Sequence, residues 1–218
     1  MLRSLLCVAI LLTTPALPAA ELSKADVIEK LIHHYGGAEN LRKLDNMSQS
    51  WTMATGAGKG AGTDVRQIAI PGRLRVELTY PDRREIRLLN GDRGYQVFDR
   101  GAPRVATTPL RDAMRLQLLR LYSPLMLQRR LASLQLLQEQ DRLVLQLEEA
   151  GIRLEYGVDL RRWEITEVTG VLRMNGSDIR FLTRYSDFRM VDGVLVHHHE
   201  EKFAGNVPTA SLDLQEIR

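Results

Sequence analysis

Arg73-Leu74-Arg75-Val76-Glu77-Leu78-Thr79-Tyr80 decides how this chain folds. Leu74, Val76, Leu78 and Tyr80 alternate with Arg73, Arg75, Glu77 and Thr79, so an extended backbone has one apolar and one polar side. Such a strand belongs in a sheet with one buried face and one wet face. The same period of two returns in Leu143, Leu145 and Leu147, in Ile152, Leu154, Tyr156 and Val158, in Ile179, Phe181, Thr183 and Tyr185, and in Leu212 and Leu214. Turn residues divide these runs. Asn90-Gly91-Asp92 separates 86–89 from 95–98, Glu149-Ala150-Gly151 follows Leu147, and Asp192-Gly193 precedes 194–203. About eleven strands with hairpin connections are expected, and no regular alternation of strand and helix. The sheet is therefore expected to be antiparallel and mainly β in class. So many strands do not stay flat, because strand twist curls them into a partly open barrel with an interior to fill.

Two helical stretches could fill it. Ser23 is placed to cap a helix carrying Val27, Ile28, Leu31, Ile32 and Tyr35, which Gly36-Gly37 stops; Leu41 and Leu44 mark a short second piece. Thr108-Pro109 has the form of a cap followed by Pro at the first helical position. Behind it come Leu110, Met114, Leu116, Leu118, Leu119, Leu121, Tyr122, Leu125, Met126 and Leu127, with Pro124 expected to end or kink the helix near Ser123. Leu and Met side chains pack adaptably and separate without stranding polar groups, which suits a lid over an apolar cavity. A permanent core plug is the alternative for the same residues.

At the N-terminus Arg3 precedes an unbroken apolar run at 5–12, followed by the small and Pro-broken Thr13-Thr14-Pro15-Ala16-Leu17-Pro18-Ala19-Ala20. That order is the layout of a secretory signal peptide over residues 1–20, too short to span a bilayer. It predicts a soluble periplasmic domain over residues 21–218. Cys7, the one cysteine, lies inside that peptide, so the exported chain has no disulfide and no cysteine-based metal site. The formal charge is +3, with bases and acids interleaved, and aromatic residues are 6% of the chain. A clustered basic face and stacking platforms are both missing, which argues against nucleic acid as a partner.

Candidate chemistry is sparse. In His197-His198-His199, a strand would turn His197 and His199 to one face, with Glu201 as a third zinc ligand. No second cluster offers a distant ligand or an orienting shell, so a solvated strand end is the favoured reading and no metal is expected. His33-His34 reads as helix surface and core edge. Gly56-Ala57-Gly58-Lys59-Gly60-Ala61-Gly62-Thr63 lacks the Lys-Ser/Thr and the following helix of a phosphate loop, and reads as a flexible hairpin loop. No Gly-x-Ser-x-Gly elbow is present. The residues call for neither catalysis nor a cofactor.

The element order resembles the outer-membrane lipoprotein-sorting proteins, relatives of the lipoprotein carriers LolA and LolB. Two stretches carry the resemblance: Tyr185-Ser186-Asp187-Phe188-Arg189-Met190-Val191-Asp192-Gly193-Val194-Leu195-Val196, and Tyr35-Gly36-Gly37-Ala38-Glu39-Asn40-Leu41. The resemblance implies an unclosed, strongly curved antiparallel sheet of about eleven strands, a half-barrel covered by helices. It implies binding of lipid or lipoprotein acyl chains, with membrane-bound donor or acceptor proteins as partners. It also implies an Arg on an early strand that gates release, for which Arg66, Arg73 and Arg75 are all candidates. In that reading Leu74, Val76, Leu78, Ile86, Leu88, Leu154, Tyr156 and Phe181 wall the cavity, and Met114, Leu118, Leu121, Leu125 and Met126 form the lid. A register slip of one residue would turn any one strand the other way. A lipid- or peptide-sensing module of the same fold is the second reading, and a metal hydrolase at the His cluster the third.

Overall fold

The structure is a computed structural model and describes residues 22–56, 60–139, 142–174 and 176–218. The expected signal peptide, with Cys7, lies outside the described residues, as do residues 57–59 of the glycine-rich segment. The strands are β1 (Asn46–Thr55), β2 (Ala61–Ala69), β3 (Arg73–Thr79), β4 (Arg84–Asn90), β5 (Arg93–Phe98), β6 (Arg104–Val105) and β7 (Gln135–Glu139). They continue as β8 (Arg142–Glu149), β9 (Ile152–Asp159), β10 (Glu164–Met174), β11 (Ser177–Val191), β12 (Val194–Ala204) and β13 (Val207–Ile217). The helices are α1 (Lys24–His34), α2 (Gly37–Leu41), α3 (Thr108–Leu119) and α4 (Pro124–Gln128).

All thirteen strands form one antiparallel sheet in the order β6-β5-β4-β3-β2-β1-β13-β12-β11-β10-β9-β8-β7. That exceeds the expected eleven, and two of the thirteen, β6 and β7, are short edge strands that alternation does not announce. The sheet is unclosed, since β6 and β7 are its opposite edges. The first half of the chain walks outward from β1 to β6. The second half starts at the far edge and walks back to lay β13 against β1. The segment between β6 and β7, which contains α3 and α4, must therefore cross from edge to edge.

Curvature follows from a single contact. β2 and β12 are separated by β1 and β13, three strand spacings or about 14 Å across a flat sheet. Arg66 on β2 nevertheless lies 2.9 Å from Glu200 on β12, so the sheet folds its two halves toward each other.

Register assigns the inner face. Val76 pairs with Arg66 and Arg87, and Leu74 with Ile68 and Leu89, giving buried rows that α3 covers. Two glycines make room for that helix. A Cβ on Gly170 would lie 2.2 Å from a Leu116 methyl, and one on Gly94 would lie 3.2 Å from the Met114 methyl. α3 begins one residue earlier than expected, with Thr107 at the cap and Pro109 in the first turn. Pro124 does not kink a continuing helix. It opens α4, which Ser123 caps by accepting a hydrogen bond from Met126 N.

α1 closes one end of the half-barrel. Ser23 and Asp26 form its capping box, and Val27, Ile28, Leu31 and Ile32 are its buried face. His33 and His34 are both exposed. Tyr35 accepts a hydrogen bond from Ile165 N on its hydroxyl and one from Leu195 N on its carbonyl, tying α1 to β10 and β12. Gly36 then turns the chain at φ 104°, and a Cβ there would sit 1.9 Å from the Gly193 carbonyl oxygen. Both the left-handed backbone and this close approach demand glycine. Gly36→Ala is expected to cost about 3 kcal/mol, since strain and overpacking each contribute about 1–3. Urea unfolding should read the loss; a change under about 0.5 kcal/mol would show that the α1–α2 corner relaxes freely.

Candidate functional site

A cavity of about 580 Å³, counting its open mouth, lies where the end of α3 and the start of α4 meet the inner face of the sheet. Arg120, Leu121, Tyr122 and Pro124 roof it; Tyr35, Tyr156, Val168, Tyr185 and His197 are among its walls. The enclosed part is only about 70 Å³, far smaller than a ligand pocket, so the roof would have to shift for a ligand to enter. The roof is tied down at a helix C-terminus, where carbonyls lack partners. Tyr156 donates its hydroxyl to the Leu119 carbonyl at 2.9 Å, and Tyr185 to the Arg120 carbonyl at 3.3 Å. Just beyond, Arg130 binds Glu149, and both bind the Tyr122 hydroxyl, each at 2.8 Å.

The interior is not uniformly apolar. Arg66, 1% exposed, donates through Nε and Nη2 to Asp64 at 3.0 and 2.8 Å. Its Nη1 and Nη2 each donate at 2.9 Å to Glu200, a two-pronged carboxylate grip. Lys202 Nζ lies 3.1 Å from Glu200, and His197 Nε2 lies 3.2 Å from it. Trp51 covers this group, with the Arg66 guanidinium 4.8 Å from its ring centre and the His197 ring stacked at 5.7 Å. Burial by itself would raise the Glu200 carboxyl, but the Arg66 charge, then Lys202, outweighs it and holds Glu200 well below the usual carboxylate range. Burial likewise depresses the Lys202 ammonium, against the pull of Glu200.

The sequence-based wall is partly rearranged. Leu74, Val76, Leu78, Leu154 and Tyr156 are buried on the inner face, and Phe181 is half-buried there, in the row of Gly170 and Leu154. Ile86 and Leu88 are not on it. They pair with Glu77 and Arg75, and their neighbours Glu85, Arg87 and Leu89 face inward instead. This is the one-residue slip to which period-two patterns are prone; Glu85 and Arg87 satisfy each other inside, so the apolar pair is displaced outward. Of these wall residues only Tyr156 borders the 580 Å³ cavity. Of the lid residues, Met114, Leu118, Leu125 and Met126 are buried, and Leu121 is half-buried at the cavity.

The three early-strand arginines separate cleanly. Arg66 is inside. Arg73 is exposed, and Arg75 faces outward against Glu77 at 2.6 Å. The histidines separate as well. His197 turns inward to Glu200, whereas His199 Nδ1 sits 2.7 Å from Asp213 on the outer face, so the two do not share a ligand face. Asp187, at φ 54°, interrupts the pairing beside His198 and breaks the alternation there. Among the described residues no group of three His, Cys, Asp or Glu is disposed to hold a metal ion. Sequence reading missed Glu200, Lys202, Asp64 and Arg120. For the first three the available signal was polar residues at inward positions of otherwise alternating strands.

The Glu200 charge has a consequence for stability. A carboxyl held low in the folded state stabilises above its unfolded value, near 4.5, and that contribution is lost as pH falls below it. In Glu200→Gln the loss of stability between about pH 5 and pH 3 should flatten, while stability at pH 7 falls by about 3–5 kcal/mol, because Lys202 loses its carboxylate and Arg66 keeps only Asp64. Urea midpoints across that range check this; an unchanged acid slope would remove Glu200 as its source.

No family model and no curated protein matches the sequence. Solved structures do match. A Vibrio parahaemolyticus domain named for outer membrane lipoprotein sorting aligns over 88% of this chain and 90% of its own, at TM-score 0.56 and 7% identity. A LolA superfamily protein from Nitrosomonas europaea aligns over 91% and 94%, at TM-score 0.54 and 11% identity. A DUF1329 family protein from Desulfovibrio piger aligns over 88% and 92%, at TM-score 0.50 and 9% identity. This unclosed antiparallel sheet with its helices is therefore a fold that the chain shares with those structures, the lipoprotein-sorting domain and the LolA superfamily protein among them.

Proposed function

We propose that this protein is a non-enzymatic periplasmic carrier that holds acyl chains, of a lipid or a lipoprotein, beneath α3 and α4. The reading rests above all on the cavity under the α3–α4 junction, roofed by an apolar segment that topology forces across an open sheet. It is supported by the names of two structural neighbours, one a lipoprotein-sorting domain. Burying ten methylenes at about 0.8 kcal/mol each is worth about 8 kcal/mol, the range of micromolar binding.

Mechanically, α3 is the moving part. Its Met114, Leu116 and Leu118 lie on the sheet by apolar contact, and its flank is pinned by Arg115 to Asp92, which is almost fully exposed. Salt bridges of that kind hold weakly. α4 is the fixed part, held by Arg130 and Glu149 and packed on α1. The tyrosine tethers at Leu119 and Arg120 mark the pivot. Displacing α3 would enlarge the cavity along the apolar row of Leu74 and Leu89 without opening any strand pair. Arg66 is the gate candidate, being the early-strand arginine inside. Donor and acceptor proteins at the two membranes would be the partners.

Among the described residues no helix is long and apolar enough to cross a membrane. Residues 21–218 are proposed as one exported domain released from the signal peptide. N-terminal sequencing of the exported protein should begin within a few residues of Glu21; retention of residues 5–12 would remove the periplasmic assignment.

The carrier reading is tested with a pyrene-labelled acyl methyl ester, a neutral probe. The wild-type protein should bind it at micromolar concentration. Leu121→Trp, which fills the cavity, should weaken binding at least about tenfold while the melting temperature moves by less than about 4 °C, or about 1 kcal/mol. A wild-type protein that never binds the probe would end the carrier reading, and a variant that binds normally would move the ligand elsewhere.

A further inference from the structure

The charges enclosed by the half-barrel do not cancel. Asp64 and Glu200 balance Arg66, which touches both, and Lys202, which touches Glu200, while Glu85 balances Arg87. Arg120, the residue that ends α3, is left over. It lines the cavity, and its Nε and Nη2 are sealed from solvent with no hydrogen-bond partner in the protein.

No neighbouring acceptor bonds these two nitrogens. The Tyr185 hydroxyl is turned to the Arg120 carbonyl, and the Tyr122 hydroxyl to Glu149. The Glu200 carboxylate is taken by Arg66, Lys202 and His197. Burial and the neighbouring Arg66 charge both disfavour the charged Arg120, while Tyr185 and Glu200 favour it only from a distance. The C-terminal end of α3 offers its dipole, yet the carbonyls of Leu119 and Arg120 both carry tyrosine hydroxyls. Arg120 is half-buried, and two sealed guanidinium nitrogens without a partner are costly until an anion meets the group. Its planar fork matches a carboxylate, two N–H groups to two oxygens.

We infer that Arg120 is the head-group site of the cavity, and that the ligand it selects is a single-tailed amphiphile with a carboxylate head, a long-chain free fatty acid. This rests on the carrier reading and narrows it. The carboxylate would meet Arg120 beside the tyrosine-walled cavity, and the tail would run under α3 along the apolar row. One surplus positive charge admits one negative charge, which makes the filled cavity electrically neutral. A neutral acyl ester would fill the same space but leave Arg120 unpaired.

The test uses the full exported protein and displacement of the neutral pyrene methyl-ester probe. Oleate, methyl oleate and oleyl phosphate are compared at concentrations below micelle formation. In the wild type, oleate should displace the probe at a concentration at least about tenfold below methyl oleate. In Arg120→Gln that ratio should fall to about one. Arg120→Lys, which keeps the charge without the fork, should retain part of the preference. Equal displacement by oleate and methyl oleate in the wild type would overturn the inference while leaving the carrier reading intact, and it needs no variant to fold. A preference for oleyl phosphate alone would overturn the carboxylate assignment. Persistence of the oleate preference in Arg120→Gln would move the head-group site to another cation. A wild-type protein that binds neither probe nor competitor would remove the carrier reading and, with it, this one.

Discussion

The pairing of β1 with β13 is the constraint on which the rest of the molecule depends. It joins the two ends of the sheet-forming chain in the middle of the sheet and leaves the midpoint of the chain to connect the two outer edges. Every other sheet connection is a hairpin, which needs only a few residues. The β6-to-β7 connection has to bridge thirteen strands' worth of sheet. It can do so economically only across the inner face of a curled sheet, and a segment buried there must be apolar and must satisfy its own backbone. An amphipathic helix meets both demands, and α3 with α4 supplies it. Lid position is thus a consequence of strand order, and Gly170 and Gly94 are the local concessions that let the helix lie close.

The same curvature that makes a cavity also brings charges together. Arg66 and Glu200 sit on strands separated by two others, and they meet only because the sheet folds over. A buried pair of this kind is weak evidence for net stability, but removing one partner strands the other. Trp51 and His197 stack over the pair and keep water from it. The interior is consequently divided. One row, from Met47 through Ile68 and Leu74 to Leu89, is apolar and lies under α3. The next row, through Gln49, Arg66, Val76 and Arg87, is polar but for Val76. A cavity beside a polar row is suited to an amphiphile rather than to a plain hydrocarbon.

Much of the architecture was legible along the chain. Alternation in 73–80, 143–147 and 152–158 announced strands, and Asn90-Gly91, Ala150-Gly151 and Asp192-Gly193 announced their turns, because a period of two and a positive φ are properties of a few adjacent residues. The capping box of α1 was readable for the same reason. The edge strands β6 and β7 were not. Two residues carry no period, and Leu136 and Leu137 look like the tail of the helix before them. Among the candidate site residues, Leu74, Val76, Leu78, Leu154 and Tyr156 came out inward, while Ile86 and Leu88 came out on the outer face.

By itself, then, the sequence determined an antiparallel sheet, its hairpins, its first helix and an apolar segment in its middle, since each of these is set by local spacing and turn chemistry. Only the tertiary structure decided which way β4 faces, because that depends on Glu85 and Arg87 finding each other and not on the hydrophobicity of Ile86 and Leu88. It alone chose Arg66 from the three early arginines, sent His197 and His199 to opposite faces, and left Arg120 without a partner beside a closed ion cluster. Two of those outcomes turn on residues more than 60 positions apart in the chain, Arg66 with Glu200 and Arg120 with Tyr185. Their meeting is set by the curl of the sheet, a property of all its strands together.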